Sequence, residues 1–389
     1  MADEEPRNRS SASVSPEGGR LIGRVKHLLK RLHGAGTERD RAGNRRLFFD
    51  DYLILLLFYF FNPSIKSLRA LQQSTNWEST RQKLGIRRMS LGSLSEAVSV
   101  FDPELVRPII AELAAQAVPL KKGREAEALQ GLTAVDGSIF SALPRMAWAL
   151  WEDSSHRGVK LHLHFDVLKS VPCEATLTPA ACSEPNQLRQ TLQPNRLYVL
   201  DRGYASYELF SQIVEARSSL VARVKTSTVF VPHEERPLDD AAKEAGVIRD
   251  VVISRLGTSH HKDHLKRPMR LVILRTPTRN SPETELWLIT DRLDLPADLV
   301  ALAYRYRWLV ELFFRWLKSI LGARHLVSEK KNGVTLQMYA AMIVSLLIVL
   351  HTGRKPTVRT FETLQFYLLN WVSDDELDAH LAGLKKLSD

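Results

Sequence analysis

The sequence has few cysteines and only short apolar runs, which excludes several classes of protein. Cys173 and Cys182 are its only cysteines, too few for a disulfide framework or a four-cysteine zinc site. The two longest apolar runs, Tyr52 to Phe61 and Met338 to Leu350, are shorter than the roughly 20 residues that a membrane-spanning helix needs. Secretion is not expected either, because the first residues lack the charged and apolar parts of a signal peptide. We therefore expect a protein of a reducing compartment, with both apolar runs forming buried helices.

Positive charge, in contrast, is abundant. The 389 residues include 54 Lys and Arg against 44 Asp and Glu, so the formal net charge is +10. A positive surface favours polyanions such as nucleic acid or an anionic membrane, although an ordinary basic cytosolic protein has the same balance. The length leaves room for two or three domains.

Four polar residues lie at helical spacing in the C-terminal part: Tyr304, Arg307, Glu311 and Lys318. In an α-helix, which turns about 100° per residue, these positions fall within about 60° of arc. The far side of the same helix would be apolar, formed by Leu309, Leu312, Phe313, Trp316 and Leu317. The spacing therefore predicts one helix that presents a carboxylate among cations on its polar face.

Two further acids end strand-like apolar runs. Asp136 follows Leu132-Thr-Ala-Val, and Asp201 follows Leu197-Tyr-Val-Leu. Cleavage of a phosphodiester can use two divalent metals, one activating the attacking oxygen and one stabilising the leaving oxygen. Carboxylate oxygens suit Mg²⁺. Three separated carboxylates beside a cationic rim indicate metal-dependent phosphate chemistry, and three unrelated surface acids are the alternative.

Taken together, these segments resemble the insertion-sequence-4 family of DDE transposases, whose last catalytic helix carries the same Tyr-Arg-Glu-Lys spacing. The resemblance covers about residues 130 to 350. It implies a DNA transposase that cuts at transposon ends and transfers the strands into target DNA. It also implies that Asp136, Asp201 and Glu311 are the catalytic acids and the ligands of two Mg²⁺ ions, or of Mn²⁺ in their place.

The resemblance also implies contacts with DNA. Arg307 and Lys318 would contact phosphates of the bound transposon end, with the Tyr304 hydroxyl beside them. Arg315 points to the same side by helical geometry, and a solvated arginine is the alternative. Members of the family use a tryptophan in the last strand of a β insertion to hold a flipped base, and Trp287 occupies that place. A core tryptophan is the alternative, because a register difference of one residue moves a side chain to the opposite face.

The partners implied are double-stranded DNA, as terminal inverted repeats and as target, and a second copy of the chain. Pairing two transposon ends calls for at least a homodimer in the DNA complex. No membrane partner is expected, and a transposase of this kind would work in the bacterial cytoplasm, in association with the nucleoid.

The expected fold class is α/β, with a ribonuclease H-like catalytic domain, an all-α N-terminal domain and C-terminal helices. The expected segments are a disordered tail (1–19), a helical, DNA-binding domain (20–120), the first part of the catalytic domain (128–226), a β-rich insertion (227–290), the second part with the catalytic helix (291–350) and C-terminal helices (351–389). Ser93 and Glu96 have capping-box spacing, which predicts a helix start there and allows a helix-turn-helix that reads transposon ends.

Within the catalytic part, apolar runs and turn residues follow the order β-β-β-α-β-α-β of the ribonuclease H-like fold. The first and fourth strands are neighbours in that fold, so Asp136 and Asp201 would face one another. Three more strands are predicted in the insertion, at Val251 to Ile253, Arg270 to Leu274 and Leu286 to Thr290.

Two other functions remain open from the sequence. One is a catalytically silent DNA-binding relative, such as a domesticated protein or a transposition inhibitor, which would need no carboxylates facing the DNA phosphates. The other is a ribonuclease H-like nuclease, which would cut DNA without joining it. Asp166 is the first substitute should Asp136 not be catalytic. The segment His260-His-Lys-Asp-His264 is interpreted as a basic loop, because Lys262 and Lys266 would repel a cation.

Overall fold

A computed structural model of the chain describes residues 19–38, 43–142, 146–149, 157–257, 268–278, 281–323 and 325–386. They form two compact units, one up to Ala97 and again from Thr357, the other from Val98 to Pro356. The predicted disordered tail (1–19) lies outside the described residues apart from Gly19, and the segment His260–His264 lies outside them entirely.

The first unit consists of helices in its described part. They begin with α1 (Gly19–Leu29), α2 (Phe49–Phe61), α3 (Leu68–Ser74), α4 (Glu78–Leu84) and α5 (Leu91–Ala97). Every residue of α2 except Asp51 is buried, as expected for a helix that is apolar on all sides. The predicted helix start at Ser93 is wrong, since α5 begins at Leu91. The Ser93 N–H instead donates to Ser90 Oγ at 3.0 Å, so Ser90 caps the helix.

The second unit is built on a mixed sheet. Its elements in chain order are α6 (Arg107–Gln116), α7 (Arg124–Ala128), β1 (Leu132–Ser141), β2 (Gly158–Asp166), β3 (Val171–Pro179), α8 (Glu184–Gln190), β4 (Leu197–Leu200), α9 (Tyr207–Glu215), β5 (Ser219–Val224), β6 (Phe230–Glu235), α10 (Asp240–Glu244), β7 (Val247–Leu256), β8 (Met269–Thr278), β9 (Ser281–Thr290), α11 (Ala297–Tyr306), α12 (Trp308–Arg315) and α13 (Lys331–Thr352). The chain then returns to the first unit with α14 (Val358–Leu368) and α15 (Asp374–Lys386).

This division differs from the predicted domains at two places. α6 lies in the second unit, where it packs on β3 and α13, whereas the predicted helical domain ran to residue 120. α14 packs on α2, and Lys83 Nζ in α4 donates to Asn370 Oδ1 at 2.7 Å. The last helices are thus joined to the first by contacts that span most of the sequence.

The sheet order brings the two predicted aspartate strands together. The described strands are ordered β3-β2-β1-β4-β5-β9-β8-β7-β6. β1 runs antiparallel to β2 and parallel to β4. Leu132 lies opposite Leu197 and Ala134 opposite Val199, so the same register, extended by two residues, sets Asp136 level with Asp201. The predicted adjacency of the first and fourth strands is confirmed.

The predicted β insertion continues the same sheet. Its three predicted strands correspond to β7, β8 and β9, and β9 pairs antiparallel with β5. β6 was not predicted, because a single valine, a proline and three polar residues follow Phe230, all exposed in the structure. A strand of that composition lacks the alternating apolar pattern from which strands are predicted.

One hydrophobic core supports both parts of this sheet. Val135, Tyr198 and Leu220 from the first strands share a buried cluster with Ile273 and Ile289 from the insertion. Because the insertion strands and the aspartate strands bury side chains against one another, the insertion is part of the framework that positions the candidate site.

α13 contains the second apolar run. It is 22 residues long and, among the described helices, the one apolar enough to cross a membrane by length and composition, but 94% of its apolar stretch is buried inside the protein. The Tyr339 hydroxyl donates to the Ala175 carbonyl at 3.1 Å, which joins the helix to β3. The predicted buried helix is confirmed, as a core helix that begins before the predicted run.

A buried ion pair joins the insertion to the start of α11. Arg270 in β8 is 1% exposed, and its Nε and NH2 atoms each donate to a carboxylate oxygen of Asp250 at 2.6 Å. Its NH1 donates to the Leu295 carbonyl just before α11. The loop that leads into the Tyr304 helix is therefore fixed to the insertion.

We expect Arg270→Ala to lower the free energy of unfolding by about 3 to 5 kcal/mol, because the buried Asp250 carboxylate loses both of its hydrogen bonds from Arg270 and keeps the longer contact with Arg236 at 4.0 Å. Chemical denaturation followed by circular dichroism measures it. Arg292→Ala is the matched control, since its partner Asp294 is 69% exposed and the pair should contribute no more than about 1 kcal/mol. Equal losses in the two variants would contradict the prediction.

Candidate active site

Asp136 and Asp201 are each held by a neighbouring backbone amide. The Gly137 N–H donates to Asp136 Oδ1 at 2.9 Å, and the Arg202 N–H donates to Asp201 Oδ1 at 2.7 Å. Asp201 caps a 3₁₀ turn, Arg202–Tyr204, that follows β4. Both carboxylates therefore have fixed orientations, although β1 continues past Asp136 to Ser141, so Asp136 lies within its strand while Asp201 directly follows β4.

The predicted single helix from Tyr304 to Lys318 is interrupted, which corrects the expectation from spacing. α11 ends at Tyr306 and α12 begins at Trp308, while Trp316–Ile320 forms a π-helical turn. Arg307 keeps helical dihedral angles, so the axis continues although the hydrogen bonds change. Both irregular turns lie beside the polar residues of the motif, where such turns often occur.

The apolar side of this helix is buried only in part. Phe313, Trp316 and Leu317 are buried as predicted, but Leu312 is 38% exposed. Trp308, which follows Arg307, is 48% exposed. The exposed apolar strip beside the polar face was not predicted, because an ideal uninterrupted helix places Leu312 on the far side.

The structure brings the motif residues to the aspartates. The Tyr304 hydroxyl donates to Asp201 Oδ1 at 3.2 Å, and Arg223 lies 3.9 Å from the same oxygen. Arg307 NH2 donates to Glu311 Oε1 at 2.6 Å. Tyr304 thus connects α11 with β4, and Arg307 is paired with the glutamate one turn further on.

Lys318 contacts the backbone of β1. Its Nζ donates to the Ile139 carbonyl at 2.6 Å and lies 4.8 Å from the centre of the Phe140 ring. Burial lowers the pKa of the Lys318 ammonium. Lys318 therefore ties the π-helical turn to the strand that carries Asp136. Arg315, by contrast, is exposed.

Trp287 is partly buried on the core face of β9. Its ring packs edge-on against Phe230, with 5.7 Å between the ring centroids, and its Nε1 donates to Glu285 Oε2 at 2.8 Å. The ring thus has one side in the core cluster and a polar edge near the surface. Its role in holding a flipped base stays a prediction.

The electrostatics of the site centre on Asp136. The pKa of Asp136 is raised to about 6, mainly by burial and also by the charges of Glu184 and Glu311, against the opposing effects of the Gly137 N–H and Arg307. Asp136 is therefore a carboxylate whose charge is poorly compensated by the protein. Among the residues that the structure describes, no three acidic, histidine or cysteine side chains converge closely enough to hold a metal ion.

Glu184, the first residue of α8, is a neighbour of Asp136 that the sequence did not reveal. Its Oε1 lies 3.4 Å from Lys160 Nζ. No signal marks Glu184 in the sequence, because the contact depends on how α8 folds back onto β1. Asp166 lies opposite Thr133, towards the other end of β1, and is 3.6 Å from Arg196.

The raised pKa of Asp136 predicts a pH-dependent stability. In the unfolded chain the Asp136 carboxyl has the ordinary aspartate pKa of 3.8. Ionisation of Asp136 therefore lowers the stability of the folded state as pH rises from about 4 to 6. Asp136→Asn should therefore be more stable than the wild type at pH 7, by about 1 to 3 kcal/mol in buffer with a chelator. Below about pH 4 the difference should disappear.

Urea denaturation at pH 4 and pH 7.5 measures this effect. Asp294→Asn is the contrasting control, because a hydrogen bond from Arg292 lowers the pKa of Asp294, so its replacement should lose rather than gain stability at pH 7.5. A gain for Asp136→Asn that is equal at both pH values would contradict the assignment.

Asp136 within β1 and Asp201 at the end of the adjacent parallel strand β4 lie near a helix that carries a glutamate among cations. This arrangement defines an α/β protein with an acidic site rimmed by positive charge. The chain belongs to the Transposase DDE domain family, which matches residues 127–347.

The relatives it matches are named as transposases. It is 29% identical over 194 residues to y4zB of Sinorhizobium fredii, covering 49% of this chain and 53% of that protein. It is 26% identical over 204 residues to the protein of insertion sequence element IS5377 of Geobacillus stearothermophilus, covering 52% of each. With the protein of element IS4SA of Synechocystis sp., identity is 21% over 308 residues, covering 77% of this chain and 83% of that protein. The chain spans about half the length of the first two relatives.

Among solved structures, the chain is similar to the piggyBac transposase in a synaptic complex with hairpin DNA. The likeness is distant, with a TM-score of 0.43 and 11% identity over 94% of this chain and 81% of that chain.

Proposed function

We propose that this protein is a DNA transposase of the insertion-sequence-4 type, which cuts at transposon ends and joins the strands to target DNA on a ribonuclease H-like domain. One observation carries the proposal. Asp136 in β1 lies level with Asp201, which directly follows the adjacent parallel strand β4, and the Tyr304–Glu311 segment contacts Asp201 through its tyrosine. Glu311 is close enough to Asp136 to raise the pKa of Asp136.

Asp136, Asp201 and Glu311 would hold the two Mg²⁺ ions of this reaction, or Mn²⁺ in their place. The chemistry of the donor set fits, because all three residues offer carboxylate oxygens, which hard divalent cations prefer. The cations would have to draw the three side chains together, since no three acids converge among the described residues. The poorly compensated charge of Asp136, next to Glu184 and Glu311, also favours a cation there. When bound, the metals would supply activation of the attacking oxygen and stabilisation of the leaving oxygen.

The cations of the helix would bind and orient the DNA end. Arg307 can offer two parallel N–H donors to a phosphate, and its pairing with Glu311 keeps its guanidinium at the carboxylates until DNA arrives. Tyr304 orients Asp201 through its hydroxyl. Lys318 and the exposed Arg315 would add positive charge along the same face.

The proposed partners are double-stranded DNA, carrying terminal inverted repeats or serving as target, and a second copy of the chain in the DNA complex. The net charge of +10 supports binding to DNA by release of condensed counterions. The place of action would be the bacterial cytoplasm, at the nucleoid.

The test is an assay with DNA that carries the inverted repeats flanking the gene, a target plasmid and Mg²⁺. We expect cuts at the outer ends of the repeats, joined products in the target, and neither product in the presence of a chelator. Cleavage without joining would support a nuclease instead, and specific binding without cleavage would support a catalytically silent relative.

Trp287 is proposed to hold a flipped base, since its ring combines a packed side with an accessible polar edge. Trp287→Ala should then slow opening of the DNA end far more than it lowers the melting temperature. A tryptophan that serves the core alone predicts the reverse, with a stability loss of about 3 to 5 kcal/mol. Phe230→Ala, which removes the ring that packs on Trp287, is the control for packing. Slow end opening in both variants would reject base holding.

A further inference from the structure

α8 lies between the two segments that carry the aspartates. It packs on β1, which holds Asp136, and on the 3₁₀ turn that directly follows Asp201. Its first residue is Glu184, and the Glu184 carboxylate points to the place where these segments meet. Three contacts define its position.

The first contact is with Gly137, the residue after Asp136. A Cβ atom added at Gly137 would lie only 2.8 Å from Glu184 Oε1 and 3.0 Å from the carboxyl carbon. Real side chains essentially never approach so closely. The absence of a side chain at Gly137 is therefore what allows the Glu184 carboxylate to lie against β1 beside Asp136.

The second and third contacts lead to β2 and to the Asp201 turn. Lys160 Nζ lies 3.4 Å from Glu184 Oε1 and donates to the Cys182 carbonyl at 3.1 Å. The Lys160 ammonium therefore contacts both the Glu184 carboxylate and the backbone just before α8. Tyr204, three residues after Asp201, is buried. Its pKa is raised well above the ordinary value by burial, by the charges of Glu184 and Asp136, and by a hydrogen bond to Glu184.

We propose that Glu184 is a positioning residue that fixes the Asp136 strand and the Asp201 turn relative to each other, through Gly137, Lys160 and Tyr204. This inference rests on the proposed function, in which the two aspartates share divalent cations. Side chains that orient metal ligands typically change metal affinity or activity by about 10- to 100-fold when they are removed. Glu184 has the same task here, since misplacing either aspartate by a fraction of an ångström would spoil a shared site.

The first experiment compares Glu184→Ala, Glu184→Gln and Glu208→Ala in the full-length protein. Glu208 is the matched control, a glutamate in the first turn of α9 whose exposed side chain lies 3.3 Å from Arg189. Calorimetric titration of the DNA-free protein with Mg²⁺ should show affinity about 10- to 100-fold weaker in Glu184→Ala and unchanged in Glu208→Ala. Glu184→Gln should recover most of it, because the amide oxygen can still accept from Tyr204 and Lys160.

The second experiment uses the close approach at Gly137. Gly137→Ala should displace the flexible Glu184 carboxylate rather than the backbone, so it should weaken Mg²⁺ binding as Glu184→Ala does, with the melting temperature little changed. In the double variant Gly137→Ala/Glu184→Ala, the added methyl group has no carboxylate to displace. Its Mg²⁺ affinity should then match that of Glu184→Ala alone, whereas two independent losses would multiply.

Equal Mg²⁺ affinity in wild type and Glu184→Ala would overturn the inference, as would a Gln variant as weak as the Ala variant or losses that multiply in the double variant. These outcomes are separate from the proposed function. A wild-type protein that neither cuts nor joins DNA refutes the transposase proposal, while weaker Mg²⁺ binding in Glu184→Ala would still support the positioning role.

Discussion

Asp136→Asn, Asp201→Asn and Glu311→Gln should each abolish cleavage and joining while leaving binding to transposon ends largely intact. Each change removes a charge that the metals need without altering the shape of the side chain, so the loss should reach about 10³-fold or more, as for other groups that act as a unit in catalysis. Single-turnover cleavage of an end duplex measures the loss, and a gel-shift titration measures binding. Excess Mg²⁺ should not restore activity.

Asp166→Asn is the matched control for this prediction. Asp166 is a buried carboxylate in the neighbouring strand, but it faces the Lys169 N–H at 3.1 Å and Arg196 rather than the site. It should cut and join at the wild-type rate. Near-normal strand transfer by any of the three site variants would remove that residue from the catalytic set. If Asp166→Asn were inactive and Asp136→Asn active, Asp166 would be the catalytic aspartate in place of Asp136.

Arg307→Ala and Lys318→Ala should each weaken DNA binding in a salt-dependent way and depress cleavage. Each lost phosphate contact should lower the slope of log affinity against log salt by about 0.9 on duplex DNA, because fewer counterions are released. Arg307→Lys should rescue only in part, since an ammonium cannot reproduce the planar two-point contact of guanidinium with phosphate. Binding isotherms on an end duplex at several salt concentrations measure the slope.

Arg305→Ala provides the control, because Arg305 is exposed on the same helix outside the motif, and its slope should stay near that of the wild type. Lys318→Ala should also lose about 1 kcal/mol of stability, since the Ile139 carbonyl loses its donor. If both motif variants bind with the wild-type slope, Arg307 only balances Glu311 and Lys318 only supports β1.

Local patterns were sufficient for much of this fold. Short apolar runs lead into Asp136 and Asp201, and the parallel pairing of their strands followed from the predicted order of elements. β6 was not predicted, because an edge strand needs no apolar side chains. The packing of α14 on α2 was not predicted either, since it depends on contacts between residues about 300 positions apart in the chain.

The site was predictable in its residue types but not in its contacts. Spacing placed Tyr304, Arg307 and Glu311 on one face, which the structure supports despite the interruption at Arg307. The π-helical turn at Lys318 could not be foreseen, because it accompanies a bond to the Ile139 carbonyl in a distant strand. Glu184 was invisible for the same reason, as a contact made by the tertiary fold.

The composition of β6 has a consequence for how two copies of this chain can meet. A sheet edge offers unpaired backbone groups to any other strand and so invites aggregation. Here Pro232 has no N–H to offer, the pairing with β7 is irregular around it, and the exposed Glu234 and Glu235 would repel their counterparts in another copy. At the opposite edge of the sheet, β3 packs on α6 and α13. The β6 edge therefore cannot readily extend the sheet into a second molecule, so two copies of the chain would have to associate through other surfaces.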